Sequence, residues 1–425
     1  MTEKKVDKAD KADKADKKSA SQPPSKEIDY EKLEGINVVI VGHIDHGKTT
    51  LLERLSGKWA SQHSEELKRG ITIKLGYADA VIYSDGKGEY NTNGDGKAVK
   101  HVSFVDAPGH EMLMATMLSG AAMVDAAILV IAANEGIKPQ TREHLMALKA
   151  KGVKQLIVVQ NKIDLVEKDI ALKSYKDILE LLKKSFGTGV IPIIPVSAQQ
   201  GVNLSEVLKA IAEMSDIERK LDCNPVFVVA RSFDVNRPGT KPDSLKGSVL
   251  GGTLKCGVLK VGDEIEIKPG RVVTEANKAR YETVKTKVVG LFLGSQKVNE
   301  LGPGGSAGIE TELDMALGAR DILSGNVVSL AGKLPELSEN INLKFKLFEE
   351  IYGVGGHVKV EQIKASETLM LSINTTTTGG NVKRIKGDEL EMNLKVPAVV
   401  FKGDNVGIAR NINNHWRLIG HGEII

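Results

Sequence analysis

Short apolar runs alternate with amphipathic stretches along the first half of the chain. Five of these runs are continuously apolar, as expected for strands covered on both faces: 37–41, 102–105, 126–131, 156–159 and 191–196. Helical periods follow or separate them, at 49–55, 111–121, 140–150, 170–186 and 204–214. This repetition predicts an α/β domain with a doubly wound, mainly parallel sheet.

The pattern changes after Cys223. A β-type run at 224–230 opens a region rich in glycine and valine, with turn signals and no long helical period. This half predicts two all-β barrels or sandwiches, divided near 331–335. The expected domains are a disordered charged tail at 1–33, a P-loop domain at 34–220, and β-barrel domains at 221–331 and 332–425.

Composition narrows the class of protein further. The 425 residues include 58 basic and 55 acidic side chains, for a net charge of +3, so any nucleic-acid binding must use local patches. Two cysteines exclude a disulfide framework and a four-cysteine zinc site. No apolar run approaches the ~20 residues that span a bilayer. We expect a cytoplasmic protein that does not bind membranes.

The strongest chemical signal is Gly42-His-Ile-Asp-His-Gly47-Lys48-Thr49, which matches G-x-x-x-x-G-K-[ST] between a predicted strand and a predicted helix. Glycines let successive backbone N–H groups face phosphates, and the helix N-terminus adds positive potential. In such a loop Lys48 reaches the β- and γ-phosphates, and the Thr49 hydroxyl coordinates Mg²⁺. The segment therefore predicts a nucleotide site.

Three later segments complete this prediction. Asp106, at a strand end, can hold Mg²⁺ directly or through water, and the Gly109 N–H can meet a γ-phosphate. In Asn161-Lys162-Ile163-Asp164, Asp164 can accept hydrogen bonds from the N1–H and 2-amino groups of guanine, which adenine lacks. Lys162 can pack its stem over the base, Asn161 can tie loops together, and a backbone N–H of Ser197-Ala198 can meet the guanine O6. The segments favour a guanine nucleotide.

These segments, with Arg69-Gly-Ile-Thr72-Ile, occur in the order that translational GTPases have. Finer matches are WASQHSEELKRGITIKLGY from Trp59, PQTREH from Pro139, RSFDVNRPGT from Arg231 and ASETLML from Ala365. The chain resembles the γ subunit of archaeal and eukaryotic translation initiation factor 2, from about Gly35 to the C-terminus. The resemblance implies a GTPase domain, two β-barrels, and a heterotrimer with α and β subunits. It also implies GTP-dependent delivery of initiator methionyl-tRNA to the small ribosomal subunit.

The resemblance also implies roles for individual residues. His110 would position the attacking water. Ile44 and Ile71 would form a hydrophobic gate for this histidine, with simple core packing as the alternative. Asp45 would hold a second cation together with the Gly70 carbonyl. The alternative, that Asp45 is only a hydrogen-bonded carboxylate of the loop, stays open. The predicted GTP-binding residues are Gly42, Asp45, His46, Gly47, Lys48, Thr49, Thr50, Gly109, Asn161, Lys162, Asp164, Ser197, Ala198 and Gln199. The predicted metal ligands are Asp45, Thr49, Gly70, Thr72 and Asp106, with Thr72 as a switch that responds to the γ-phosphate.

One stretch departs from the resemblance. Members of the family often carry a four-cysteine zinc knuckle before the Asp106 strand, but residues 83–100 hold no cysteine or histidine. We expect a flexible polar loop there and no bound zinc.

Other functions stay open. An elongation factor, general or selenocysteine-specific, would carry elongator aminoacyl-tRNA on the same scaffold. A GTP-binding scaffold without relevant turnover and a sulfate-activating GTPase subunit are further alternatives. A basic cluster near the first barrel, at Arg231, Arg237, Lys241 and Lys246, fits tRNA phosphates and a solvated surface equally well.

Overall fold

The fold is a sheet domain followed by two barrels. The computed structural model describes residues 33–57, 76–106, 123–187, 190–215, 217–236, 239–275, 278–294, 296–351 and 358–425. The predicted tail therefore lies outside the described residues, except for Leu33. The same is true of the predicted helix at 111–121.

The first domain is built on a seven-stranded sheet of order β3-β2-β4-β1-β5-β6-β7. Its strands are β1 (Gly35–Gly42), β2 (Gly76–Ser84), β3 (Tyr90–Asn91), β4 (Lys97–Asp106), β5 (Ala126–Ala132), β6 (Gln155–Asn161) and β7 (Ile193–Pro195). The strands from β4 to β7 in this order are parallel to one another. β2 is antiparallel to its neighbour β4, and β3 is antiparallel to β2. The prediction of a mainly parallel sheet is confirmed.

Helices cover both faces of this sheet, which is why its parallel strands contain the continuous apolar runs. They are α1 (Lys48–Ser56), α2 (Pro139–Ala150), α3 (Lys168–Phe186) and α4 (Leu204–Ala212). Helices α1 and α4 pack with Val38 and Ile40 on one face, and α2 and α3 pack with Val39 and Val41 on the other. All seven residues of β5 are buried between these layers.

The prediction of a flexible loop over residues 83–100 is wrong at both ends of that range. Tyr83 and Ser84 end β2 and pair with β3, and residues 97–100 begin β4. The turn between β2 and β3 is closed by Asp85, whose Oδ1 accepts the N–H groups of Lys87 at 2.7 Å and Glu89 at 3.0 Å. Antiparallel edge strands can keep one face in water, so polar sequence does not exclude them.

The second domain is a closed antiparallel sheet. The strands of this domain are β8 (Val226–Phe233), β9 (Val249–Cys256), β10 (Leu259–Lys260), β11 (Glu264–Glu275), β12 (Lys278–Leu293), β13 (Gln296–Val298), β14 (Glu300–Leu301), β15 (Ala307–Thr311) and β16 (Val327–Leu330), with β10 and β14 forming a separate pair. The order β11-β16-β8-β9-β15-β12 closes because β11 also pairs with β12. A short helix, α5 (Met315–Gly318), precedes β16.

The third domain is a closed barrel of order β17-β22-β21-β20-β23-β24. Its strands are β17 (Ser338–Leu347), β18 (Glu350–Ile351), β19 (Val358–Lys359), β20 (Thr368–Ile373), β21 (Thr376–Lys386), β22 (Glu389–Ala398), β23 (Asn405–Ile412) and β24 (His415–Ile424), with β18 and β19 forming a separate pair. The predicted fold class, a P-loop domain followed by two β-barrels, is confirmed.

Polar contacts join the three domains. The Ser306 N–H of the second domain donates to Ser103 Oγ of the first at 2.7 Å. Arg417 of the third forms a buried ion pair with Glu143 of the first at 2.8 Å. Within the described ranges, none of the helices has the length and apolar character needed to cross a membrane.

Candidate nucleotide-binding site

The phosphate loop, from Gly42 to Thr49, joins the C-terminal end of β1 to the N-terminus of α1. Its backbone turns through left-handed conformations at Asp45 (φ 60°) and Gly47 (φ 90°). A Cβ on Gly47 would lie 2.3 Å from Asn161 Nδ2, so a side chain there would collide with the next loop. Glycine at this position therefore lets two loops of the site approach each other.

Lys48 is folded inside this loop. Its side chain is buried, and its Nζ donates to the His43 carbonyl at 2.8 Å. Burial lowers the pKa of Lys48, while the carboxylates of Asp106 and Asp45 act in the opposite direction. The ammonium group thus stands at the centre of the loop, where the predicted phosphates need a positive charge.

Thr49 and Asp106 place oxygen atoms side by side. β1 and β4 are parallel neighbours with Ile40 opposite Asp106, which brings the end of β4 next to the loop. Thr49 Oγ1 donates to Asp106 Oδ2 at 3.1 Å, and the Asp106 side chain is buried. A hydroxyl and a carboxylate are hard oxygen donors of the kind that Mg²⁺ prefers, so these residues fit the predicted metal.

Asn161 ties three loops together. Its Nδ2 donates to the His46 carbonyl in the phosphate loop at 2.9 Å. Its Oδ1 accepts the N–H of Ala198, in the loop after β7, at 3.0 Å. Asn161 and Ala198 are both almost fully buried. The Ala198 N–H, which was predicted as a possible donor to guanine O6, is thus already engaged by Asn161.

Three other residues predicted to bind the guanine nucleotide lie in the two loops that contain Asn161 and Ala198. Lys162 has a left-handed backbone (φ 61°), and its Nζ lies 3.7 Å from Glu135 Oε1. Asp164 is exposed in a short 3₁₀ turn, as a carboxylate that reads a base edge must be. Ser197 is buried, and its Oγ accepts the N–H of Gln200 at 3.3 Å.

Four further predicted residues lie in or beside the loops. The His46 ring is fully buried, and its Nδ1 lies 3.3 Å from the Val130 carbonyl. Burial lowers the pKa of His46 to about 4, so the ring is neutral at physiological pH. Asp45 is exposed, and Thr50 is partly buried on α1. Gln199 is exposed, and its carbonyl accepts a hydrogen bond from Arg54 at 3.0 Å.

Other predicted residues fall outside the described ranges. They include the catalytic candidate His110, the γ-phosphate contact Gly109, and the metal candidates Gly70 and Thr72. The gate candidate Ile71 is also outside, while Ile44 is described and its N–H donates to Gln140 Oε1 at 3.3 Å.

Sequence reasoning missed three polar residues of the site: Glu135, Gln140 and His144. Glu135 contacts Lys162, and its Oε2 lies 3.9 Å from His46 Nε2. His144 Nδ1 accepts the Gly42 N–H at 3.0 Å. Gln140 and His144 lie in the PQTREH segment, which was noted only as a mark of resemblance. The spacing of these residues in the sequence does not predict a contact with the phosphate loop, because α2 and the loop come together only when the sheet folds.

Comparison with known proteins identifies two families along the chain. The family model of the elongation factor Tu GTP binding domain matches residues 33–216. The model of the C-terminal part of initiation factor eIF2 gamma matches residues 339–424. The first match covers the sheet domain with its loops, and the second covers most of the third domain.

Similar proteins extend this likeness over nearly the whole chain. Translation initiation factor 2 subunit gamma of Methanococcus maripaludis strain S2 is 48% identical over 403 residues, covering 92% of this chain and 98% of the relative. The protein of that name from Pyrococcus horikoshii is 48% identical over 400 residues, covering 92% of this chain and 97% of the relative.

Solved structures show the same fold at lower identity. A bacterial selenocysteine-specific elongation factor EF-Sec aligns with a TM-score of 0.73 at 24% identity, over 92% of this chain and 58% of the other. Elongation factor SelB of Methanococcus maripaludis with a GTP analogue aligns with a TM-score of 0.70 at 22% identity, over 92% of this chain and 79% of the other. Because the chain carries the GTP-binding domain and is 48% identical to the two subunit gamma relatives over 97–98% of their length, it belongs to the translation initiation factor 2 subunit gamma family and is a translational GTPase.

Proposed function

We propose that this GTP-dependent initiation factor binds initiator methionyl-tRNA as the γ subunit of a heterotrimer with α and β subunits. The complex delivers the tRNA to the small ribosomal subunit in the cytoplasm, and GTP is then hydrolysed. The observation that carries the proposal is the 48% identity to initiation factor relatives over 403 residues, a match that includes both barrels. We assign the domains to 34–220, 221–331 and 332–425, with a charged tail at 1–33.

The nucleotide lies across the loops that Asn161 joins. Lys48 contacts the β- and γ-phosphates, and the backbone of residues 45–50 surrounds them. On the base side, the exposed Asp164 carboxylate accepts from the two guanine donors, and Lys162 covers the base plane. The contact between Lys162 and Glu135 supports this role, because it holds the lysine stem beside the loop.

Thr49 and Thr72 would hold Mg²⁺ directly, and Asp106 would hold it mainly through water. The ion would supply positive charge beside the phosphate oxygens. The oxygen pair of Thr49 and Asp106 supports this assignment. A second cation held by Asp45 and the Gly70 carbonyl stays part of the proposal; Asp45 is exposed, so an ion can reach it from solvent.

Hydrolysis depends on His110, which positions the attacking water. Neutral imidazole can accept a hydrogen bond from that water and stabilise the transition state, as glutamine does in other GTPases. We expect turnover to be slow until the ribosome or a partner protein acts.

The experiment that tests this function measures tRNA binding directly. The chain is co-purified with α and β subunits, and retention of radiolabelled initiator methionyl-tRNA is compared with GTP, GDP and no nucleotide. We expect retention that requires GTP and resists competition by elongator aminoacyl-tRNA. Preferential displacement by an elongator aminoacyl-tRNA would establish the elongation factor alternative instead.

A further inference from the structure

One helix of the first domain touches both the phosphate loop and the third domain. The N-terminal half of α2 (Pro139–Ala150) contacts the loop through two side chains. Gln140 Oε1 accepts the Ile44 N–H at 3.3 Å, and His144 Nδ1 accepts the Gly42 N–H at 3.0 Å. Gln140 and His144 are four residues apart and therefore lie on one face of the helix. Together they fix two amides in the first half of the loop.

The His144 contact defines the state of its ring. Because Nδ1 accepts a hydrogen bond, the ring proton is assigned to Nε2. The ring is 2% exposed, and burial lowers the pKa of His144 to about 3. His144 is thus a permanent neutral acceptor, and its orientation is set by the helix rather than by solvent.

The residue before His144 connects the same helix to the third domain. Glu143 Oε1 lies 2.8 Å from Arg417 Nη1 on β24, and both side chains are almost fully buried. Just beyond the C-terminal end of α2, Lys151 Nζ donates to the Ser372 carbonyl on β20 at 2.8 Å. The helix is therefore held to the barrel at two points about two turns apart.

We propose that α2 links the phosphate loop to the third domain, with Gln140 and His144 as positioning residues for the loop and the Glu143–Arg417 pair as the link to the barrel. The inference rests on the guanine-nucleotide site proposed above. Fixed acceptors hold the loop in its binding conformation, which reduces the ordering cost of nucleotide binding. Coupling between two sites is reciprocal, so nucleotide occupancy also changes how firmly the third domain is held.

The first test separates positioning from packing. Affinities for a fluorescent GDP and for a non-hydrolysable GTP analogue are measured for His144→Ala and His144→Asn in the full chain. Asparagine presents Oδ1 close to where histidine presents Nδ1, so it keeps the acceptor. We expect about tenfold weaker binding for His144→Ala, the effect of about one lost hydrogen bond, and recovery to within about threefold of wild type for His144→Asn.

A matched control uses another buried histidine of the first domain. His101 is 1% exposed on β4 and lies 3.6 Å from Asp79, away from the phosphate loop. His101→Ala is expected to lower the melting temperature without changing nucleotide affinity. Equal loss of affinity in His101→Ala and His144→Ala would overturn the positioning role, as would wild-type affinity in His144→Ala.

The second test addresses the link to the barrel. Arg417 lies on β24 in the third domain, yet Arg417→Gln is expected to speed nucleotide dissociation by about threefold or more, because it removes the buried ion pair that holds Glu143 on α2. The double variant Glu143→Gln, Arg417→Gln exchanges the ion pair for two neutral amides and is expected to recover most of the loss. In combination with His144→Ala, the effect of Arg417→Gln should be less than additive.

The outcomes distinguish the inference from the proposed function. Unchanged dissociation in Arg417→Gln, or strict additivity with His144→Ala, would overturn the link through α2 while leaving nucleotide binding intact. A wild-type chain that binds neither GDP nor the GTP analogue would instead overturn the nucleotide site itself.

Discussion

Replacing Asn161 by alanine is expected to weaken guanine-nucleotide binding by about 30-fold or more. The side chain donates to the His46 carbonyl and accepts the Ala198 N–H, and it is 3% exposed. Alanine would leave both backbone groups without these partners in a buried place, at about 1–3 kcal/mol each. Some of this cost is relieved as the loops relax, and a remainder of about 2 kcal/mol corresponds to about 30-fold in Kd.

The assay for Asn161→Ala is equilibrium displacement of a fluorescent GDP, with chemical denaturation in parallel to separate affinity from stability. The matched control lies at the other end of the same strand, where Gln155 Nε2 donates to the Ser215 carbonyl at 3.0 Å. Gln155→Ala removes a partly exposed hydrogen bond and should leave Kd unchanged. A Kd for Asn161→Ala within about twofold of wild type would show that the loops hold their positions without this residue.

Three further predictions concern the base, the catalytic water and zinc. Asp164→Asn should weaken GTP binding and admit xanthosine nucleotides, because their 2-oxo group meets an amide donor. Competition between GTP and xanthosine triphosphate measures this change, and a GTP affinity equal to wild type would refute the role of Asp164 in recognising guanine. His110→Ala should slow single-turnover, ribosome-stimulated GTP hydrolysis by about 10²-fold or more with nearly unchanged GTP affinity, and an unchanged rate would remove this histidine from the mechanism. Elemental analysis of untagged protein should find no stoichiometric zinc, because residues 83–100 offer no thiolate or imidazole ligand.

The structure extends the sequence prediction most at the edge of the first sheet. Continuous apolar runs identified β1, β4, β5, β6 and β7, since such runs are typical of strands covered on both faces. β3 was missed because it is an edge strand of only two residues, too short to give a period. β2 lies between β3 and β4, and its buried residues 80–82 adjoin the polar stretch that was predicted as a loop, so it was missed as well.

In the nucleotide site, too, some residues were predicted from the sequence and others were seen only in the structure. Lys48, Thr49 and Asp164 were predicted from local motifs whose geometry is set by a single loop, and the structure places them around one group of loops. Glu135, Gln140 and His144 were not predicted, because they approach the phosphate loop from a helix that lies far away in sequence. The Glu143–Arg417 pair joins residues 274 positions apart, a contact that no local pattern can indicate.

The sequence by itself determined the fold class and the order of the domains, and it predicted the chemistry of the phosphate loop. These depend on hydrophobic periodicity and on glycine conformations, which act over a few residues. Only the tertiary structure decided that Asn161 joins the phosphate loop to the Ala198 loop, and that α2 stands between the nucleotide site and the third domain. Such contacts depend on how strands align in the sheet and how barrels pack on helices, so they arise only when distant segments are buried together.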